Sequence, residues 1–486
     1  MKLSRSRKIN VGKTIRQVLI FLAIITFALQ LLPKTSENKI DALEIVLYSI
    51  IGLLSSFQIA KEIKVRAYSF NLMHWVFILF FFFVAPIVQI SKNYTPYGIS
   101  QSLDIRIATS LQILLWCIFY SLAYSFAKNK TAGAKKKSKN TTYKKGAPLI
   151  VTSINIISSI ILISMTGFIN LFSRGTASIN IDNATASSLL SHGLRAAITC
   201  STAVSLLLCI KNKQLKYNIY AIINVILLFI TCFPAGMARN MTGIIYLGLY
   251  TIIRINFYKK NKNSIRYFAL FIISFVIIFP FLNSFRRVGI ETINIGESIH
   301  TTFDNITNDY ATENYDAFSM IGTIRQHSIS HGKEYGKQLM GSFLFFIPRK
   351  IYSNKPVGTG SMVLTAKGKE FTNVSAPLIA EGQINFGTIG VILFSVICGV
   401  LASTLDKRYW NTIDNEEDSY LKLVYPFLLP AFFFMMRGDM MSTYSNMAAY
   451  IVIFYIMYKV VTGISTGKSN DCNNNNDVTY IIKESE

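Results

Sequence analysis

Phe70 to Ile90 reads FNLMHWVFILFFFFVAPIVQI, a run holding not one Asp, Glu, Lys or Arg. A helix of about twenty residues rises about 30 Å, the thickness of a bilayer's hydrocarbon core. No water in that core can satisfy bare backbone groups, so such a run crosses it as a helix. Outward from this stretch, similar runs fall at approximately 17–33, 42–60, 70–90, 107–127, 148–171, 189–210, 218–234, 241–257, 265–283, 387–405, 420–436 and 442–461. The expectation is an all-α polytopic membrane protein with about twelve transmembrane helices.

Composition agrees, since 51% of the 486 residues are apolar and 15% charged, against about 25% charged in soluble domains. The 49 Lys and Arg against 25 Asp and Glu give +24. In a soluble chain that surplus would suggest nucleic acid. Here most of it sits in joints on one side of the membrane, so no nucleic-acid partner is expected. Met1 to Arg16 is basic, as are joints 61–69 (Lys61, Lys64, Arg66), 128–147, 211–217 and 258–264, which places both termini in the cytoplasm. The run Gln17 to Leu32 has no small-residue cleavage site after it and is read as a retained first helix. Five of six cysteines lie in apolar runs and no CxxC pair occurs, so neither a disulfide framework nor a zinc site is expected.

The layout is then helices 1 to 9 over 1–283, an external loop over 284–386, helices 10 to 12 over 387–461, and a polar cytoplasmic tail over 462–486. The external loop carries ten Lys or Arg, nine Asp or Glu and three His, with aromatic stretches such as Phe343 to Phe346. That is too apolar for disorder, and short helices on the bilayer surface or over a cavity are expected. Lys128 to Lys145 and the tail from Thr462 read as solvated linkers. No internal repeat is evident, and nine helices before the loop with three after it count against a two-repeat transporter.

Chemistry at a membrane boundary concentrates in ions that are costly to place there. Arg239, Arg286, Arg287, Arg349 and Arg437 all fall on the face where the charge bias disfavours arginine. A planar guanidinium binds phosphate through two hydrogen bonds, which makes a phosphate-rich lipid headgroup one cause for that placement. The alternatives are snorkelling to the headgroup level, or an Arg437 pair with Asp439. Glu381 and Asp439 are the carboxylates able to deprotonate a hydroxyl, although Glu381 at a helix start also suits the helix dipole. His327 and His331, four apart, share a helix face but lack the zinc-protease carboxylate, so substrate hydrogen bonding or surface polarity is expected. No phosphate-binding P-loop, nucleophile elbow or dinucleotide turn occurs. Neither a cofactor nor a metal is expected.

From Asp316 onward the order of motifs resembles the bacterial O-antigen polymerase family, the Wzy-type oligosaccharide repeat-unit polymerases. The stretches are Tyr315-Asp-Ala-Phe, Tyr335-Gly-Lys-Gln-Leu, Phe346-Ile-Pro-Arg-Lys-Ile-Tyr-Ser-Asn-Lys-Pro, Ser375-Ala-Pro-Leu-Ile-Ala-Glu-Gly-Gln-Ile-Asn-Phe-Gly-Thr-Ile-Gly and the turn Met436-Arg-Gly-Asp. The resemblance implies a metal-independent membrane glycosyltransferase in the bacterial inner membrane. It would move a growing glycan from undecaprenyl pyrophosphate onto a new lipid-linked repeat unit at the outer face. Partners would be the lipid-linked oligosaccharides as donor and acceptor, the bilayer, and a chain-length regulator and flippase of the pathway. On this reading Glu381, Asp439, Arg349 and Arg437 are catalytic, and Arg239, Arg286, Arg287, Lys355, His327 and Asn385 bind substrate. An O-antigen ligase and a lipid-linked oligosaccharide flippase are the rival readings.

Overall fold

Side-chain oxygens set where several helices begin. Asp41 accepts the N–H of Leu43 at 2.8 Å ahead of α1 (Ala42–Val65), and Ser69 accepts the N–H of Leu72 at 3.0 Å ahead of α2. Each satisfies a backbone donor that the first helical turn leaves open. The second helix, α2 (Phe70–Ser91), is the run quoted above, and it passes through one π-helical turn at Phe80–Val84 just before Pro86, which has no N–H to give. The computed structural model describes residues 41–66, 68–130, 141–172, 184–212, 214–257, 272–273, 310–371, 373–415, 418–438 and 440–464.

The helices that follow are α3 (Leu103–Lys130), α4 (Ala147–Thr166), α5 (Ala184–Asn212), α6 (Leu215–Thr231) and α7 (Arg239–Phe257). Three short helices come next, α8 (Ala317–His331), α9 (Lys337–Phe343) and α10 (Thr359–Ala366). The described part ends in α11 (Leu378–Asp414), α12 (Tyr420–Arg437) and α13 (Met440–Val461). Among the described residues, eight helices are long and apolar enough to cross a membrane, namely α1 to α5 and α11 to α13. The helices α6, at 17 residues, and α7, which carries Arg239 and Arg254, occupy two more of the expected spans. The expected spans 17–33 and 265–283 lie outside the described residues.

Packing is driven by aromatic rings and by close backbone approach, as expected where lipid tails offer no hydrophobic gain. Phe77 stacks on Phe81 at 4.5 Å and meets Phe433 of α12 edge-on at 5.6 Å. A Cβ on Gly399 of α11 would stand 2.6 Å from the Tyr120 carbonyl of α3, so these two helices touch backbone to backbone. The longest helix is bent. Gly387 has φ +66°, and Gly382 and Gly390 press against each other across the bend, a Cβ on Gly382 lying 2.8 Å from the Gly390 carbonyl. Residues 378–386 therefore fold back along the limb that follows Gly387. Only glycine takes that backbone without strain.

One expectation needs correction. The segments read as solvated linkers are ordered at their edges, because β1 (Thr141–Tyr143) pairs antiparallel with β2 (Thr462–Ile464) and Tyr143 faces Thr462. Lys144 adds its Nζ to the Val460 carbonyl at 2.9 Å, so carbonyls at the end of α13 find donors there. The described part of the long loop holds the expected short helices, and α8 packs into the bundle. Phe318, Met320, Ile321 and Ile324 of α8 are buried, Phe318 meeting Tyr48 of α1 at 5.6 Å, because this apolar face requires cover.

The contacts sort the joints between two ends. At the Lys-rich end Lys211 pairs with Asp418, Lys407 donates to the Lys128 carbonyl and β1 meets β2. At the opposite end Arg106 bridges Glu44 at 2.6 Å, and the joint after α2 meets residues 313–316.

Candidate functional site at the end opposite the lysine-rich joints

Residues 310–316 cross the end of the bundle and are tied to three helices. Gln89 near the end of α2 donates to the carbonyls of Tyr310 and Tyr315 at 3.1 and 3.0 Å. In the joint that follows, Tyr94 donates to Glu313 at 2.5 Å and Tyr97 to Asp316 Oδ2 at 2.7 Å. Arg239, opening α7, donates to the side chain of Asn314. Arg437, closing α12, donates through Nη2 to the Glu313 carbonyl at 2.9 Å and to Asp316 Oδ1 at 3.1 Å.

Asp316 is only 1% exposed. Burial pushes its carboxyl above the ordinary range, while the Arg437 guanidinium opposes that shift. The same carboxylate raises the Tyr97 phenol, whose own burial is the larger cause, so Tyr97 stays protonated and keeps donating. The Arg437 side chain is 27% exposed, and its Nε has no hydrogen-bond partner among the described residues. A buried carboxylate thus fixes the guanidinium through Nη2, Nε is itself buried, and the side chain stays partly open to a ligand. Asp439, like Arg286 and Arg287, lies outside the described residues.

Arg349 and Lys355 each hold backbone carbonyls of the segment 345–356. Arg349 donates to the carbonyls of Lys355 at 2.6 Å and Pro356 at 3.2 Å, and Lys355 Nζ donates to those of Phe345 at 2.7 Å and Ile347 at 3.0 Å. Burial, and then Arg349, push the Lys355 ammonium below its ordinary value. Pro356 rests on Gly341, which also faces Met441 of α13. The knot therefore sits beside the helix that begins just after Arg437.

Glu381 is 2% exposed in the first turn of α11 and accepts the hydroxyl of Thr359 from α10 at 2.9 Å. Asn385 is fully buried, donates to the Glu381 carbonyl at 2.8 Å, and has its Oδ1 unpartnered among the described residues. Close by in sequence, Gln383 accepts from Gln112 of α3 at 3.2 Å, and Gln112 in turn accepts from Arg325 of α8. The fold-back at Gly387 carries these polar groups in among the helices. His327 and His331 do share a face, their rings stacked at 4.3 Å, and burial followed by His331 lowers the His327 pKa.

Sequence reasoning missed Asp316, Tyr97 and Arg325 as site groups. The signal for Asp316 was its place inside the motif Tyr315-Asp-Ala-Phe. It also missed Arg195, 9% exposed within α5 and donating to the carbonyl of Thr231, the last residue of α6. A cation there suits the negative end of that helix.

No curated protein and no solved structure matches the chain. The family model for the O-antigen polysaccharide polymerase Wzy matches residues 14–468, nearly the whole sequence. That match covers the multi-pass helices as well as the cluster around Arg437 and Asp316, and the chain belongs to the O-antigen polysaccharide polymerase Wzy family.

Proposed function

We propose that this polymerase transfers the growing glycan from undecaprenyl pyrophosphate to the terminal sugar of a new lipid-linked repeat unit. On this reading the chain has twelve spans and cytoplasmic termini, and the Arg437 end faces away from the cytosol. The glycosidic bond to the donor pyrophosphate breaks, the acceptor hydroxyl forms the new bond, and its proton leaves to a carboxylate. As that bond breaks, negative charge grows on the pyrophosphate, and fixed cations there lower the barrier.

Arg437 is the principal cation, with Arg239 opening α7 beside it and Arg286 and Arg287 as further cations for the pyrophosphate. The observation that carries this reading is the Arg437 guanidinium itself, partly exposed and held at 3.1 Å by buried Asp316. Preorganisation of that kind makes a charge useful to a transition state, because no reorientation is needed during the step. Arg349 and Lys355 shape the loop that covers the site. Glu381 holds α10 to α11 through Thr359, Asn385 and His327 offer hydrogen bonds to sugar, and Asp439, two positions after Arg437, takes the acceptor proton.

The test is the length ladder of surface polysaccharide in a deletion strain complemented with Arg437→Ala. Single repeat units on the final carrier are the expected product. A normal ladder would remove Arg437 from the site. Loss of all glycan from the carrier would indicate a ligase, and repeat units stranded on the cytoplasmic side would indicate a flippase.

A further inference from the structure

At the Lys-rich end, between the closing turns of α1 and α3 and the opening turns of α2, lies a cavity of about 330 Å³. It is separate from the Arg437 cluster, since Glu62 in its wall stands eighteen positions along α1 from Glu44 at the other end, about 27 Å of helix. Its floor is formed by Glu62, Asn71, Trp75 and Tyr124, all buried, and its rim by the exposed Lys61 and Lys128.

The charges in this cavity are divided by depth. Glu62, 5% exposed, accepts Ser69 Oγ on one oxygen and Asn71 Nδ2 on the other, both at 3.1 Å. Both donors are neutral, and no cation pairs with Glu62 among the described residues. Each carboxylate oxygen has a further lone pair to offer. A buried charge without a counter-ion is costly. On the rim, Lys128 lies 6.0 Å over the ring of Tyr124, and neither lysine pairs with a carboxylate among the described residues. Asp406, behind Tyr124, takes no part, because the N–H groups of Phe70 and Asn71 and the hydroxyls of Tyr124 and Tyr425 already donate to it.

A purely anionic ligand would meet Glu62 on the floor, and a purely cationic one would meet the lysines on the way in. From this division we infer that the cavity binds a zwitterionic aminophosphate headgroup of the phosphatidylethanolamine class, its ammonium on Glu62 and its phosphate between Lys61 and Lys128. The source is either a lipid of the adjoining leaflet or the free headgroup in solution.

The experiment is native mass spectrometry of the full-length protein in detergent, titrated with short-chain phosphatidylethanolamine and phosphatidylglycerol. Phosphatidylethanolamine should be retained about tenfold more tightly, the size of one hydrogen bond to a charged group. Glu62→Gln should erase that preference, and K61Q/K128Q should weaken both lipids. The two lysines are exposed, so the double variant is informative even where Glu62→Gln fails to fold. Equal retention of both lipids by the unaltered protein would overturn the proposal, as would unchanged phosphatidylethanolamine binding in K61Q/K128Q. Displacement of the lipid by O-phosphoethanolamine would support the site with the headgroup alone as sufficient ligand. Preference for the lipid without such displacement would support it with the leaflet as source.

Discussion

Arg437 and Asp316 stand 121 positions apart in the chain and meet at 3.1 Å, one ending α12 and the other leading into α8. The pair joins the last helices to the long loop. It also turns an arginine at a membrane boundary into an oriented donor.

Replacing Arg437 by Ala is expected to reduce polymer formation about a hundredfold, the usual cost of one preorganised donor to a developing oxyanion. Arg437→Lys should recover only part of this, since an ammonium cannot serve Asp316 and a phosphate through separate edges. The readout is chain-length distribution at matched membrane abundance.

Acidification should act through Asp316. Its pKa is raised by burial, so the carboxyl takes up a proton at a pH above the ordinary carboxylate range and then releases Arg437. Activity of the unaltered enzyme should fall as pH falls through that raised value. Asp316→Asn should be about tenfold less active at neutral pH, from misplacement of the guanidinium, and flat across the same acidic window. An acid limb that persists unchanged in Asp316→Asn would assign it to another group.

Glu381→Gln keeps an oxygen to accept the Thr359 hydroxyl, so polymerisation within about threefold of normal is expected from a lost helix-end charge of under 1 kcal/mol. Asp439→Asn should instead abolish chain extension. The reverse ranking of the two variants in a reconstituted transfer assay would move the base to Glu381.

Arg349→Ala leaves the carbonyls of Lys355 and Pro356 without their donor. The expected loss is about 1–3 kcal/mol of local stability, seen as faster proteolysis within 344–357 together with shorter glycans. Shortened glycans with an unchanged cleavage rate would point to direct substrate contact.

Gly387→Ala must force a side chain into φ +66° at a bend where Lys333 also approaches. About 1–2 kcal/mol of strain is expected, lowering the melting temperature and the yield of membrane-inserted protein.

The eight described spans were readable because an apolar run of bilayer length admits one structure, and α2 occupies the quoted stretch almost to the residue. Gly387 was readable in a weaker sense, as the place where span ten begins, but its positive φ and the fold-back before it depend on contacts that span no local pattern. Arg437 could be singled out because the charge bias of the joints disfavours arginine where the sequence reading puts it. Its partner could not, because Asp439 lay two residues away and Asp316 in another element. Arg349 and Lys355 looked like ligand-binding cations for the same reason, whereas here they hold backbone carbonyls. A cation's partner is a matter of tertiary structure, and periodicity carries no record of it.

The short ladder from Tyr143 to Thr462 makes the chain a closed circuit. The ladder ties the entry to α4 to the exit from α13, so after a protease cut in a joint between them the two fragments still share that clasp beside their helix packing. Such a nicked polymerase should leave the membrane as one particle and separate only when a denaturant undoes the clasp.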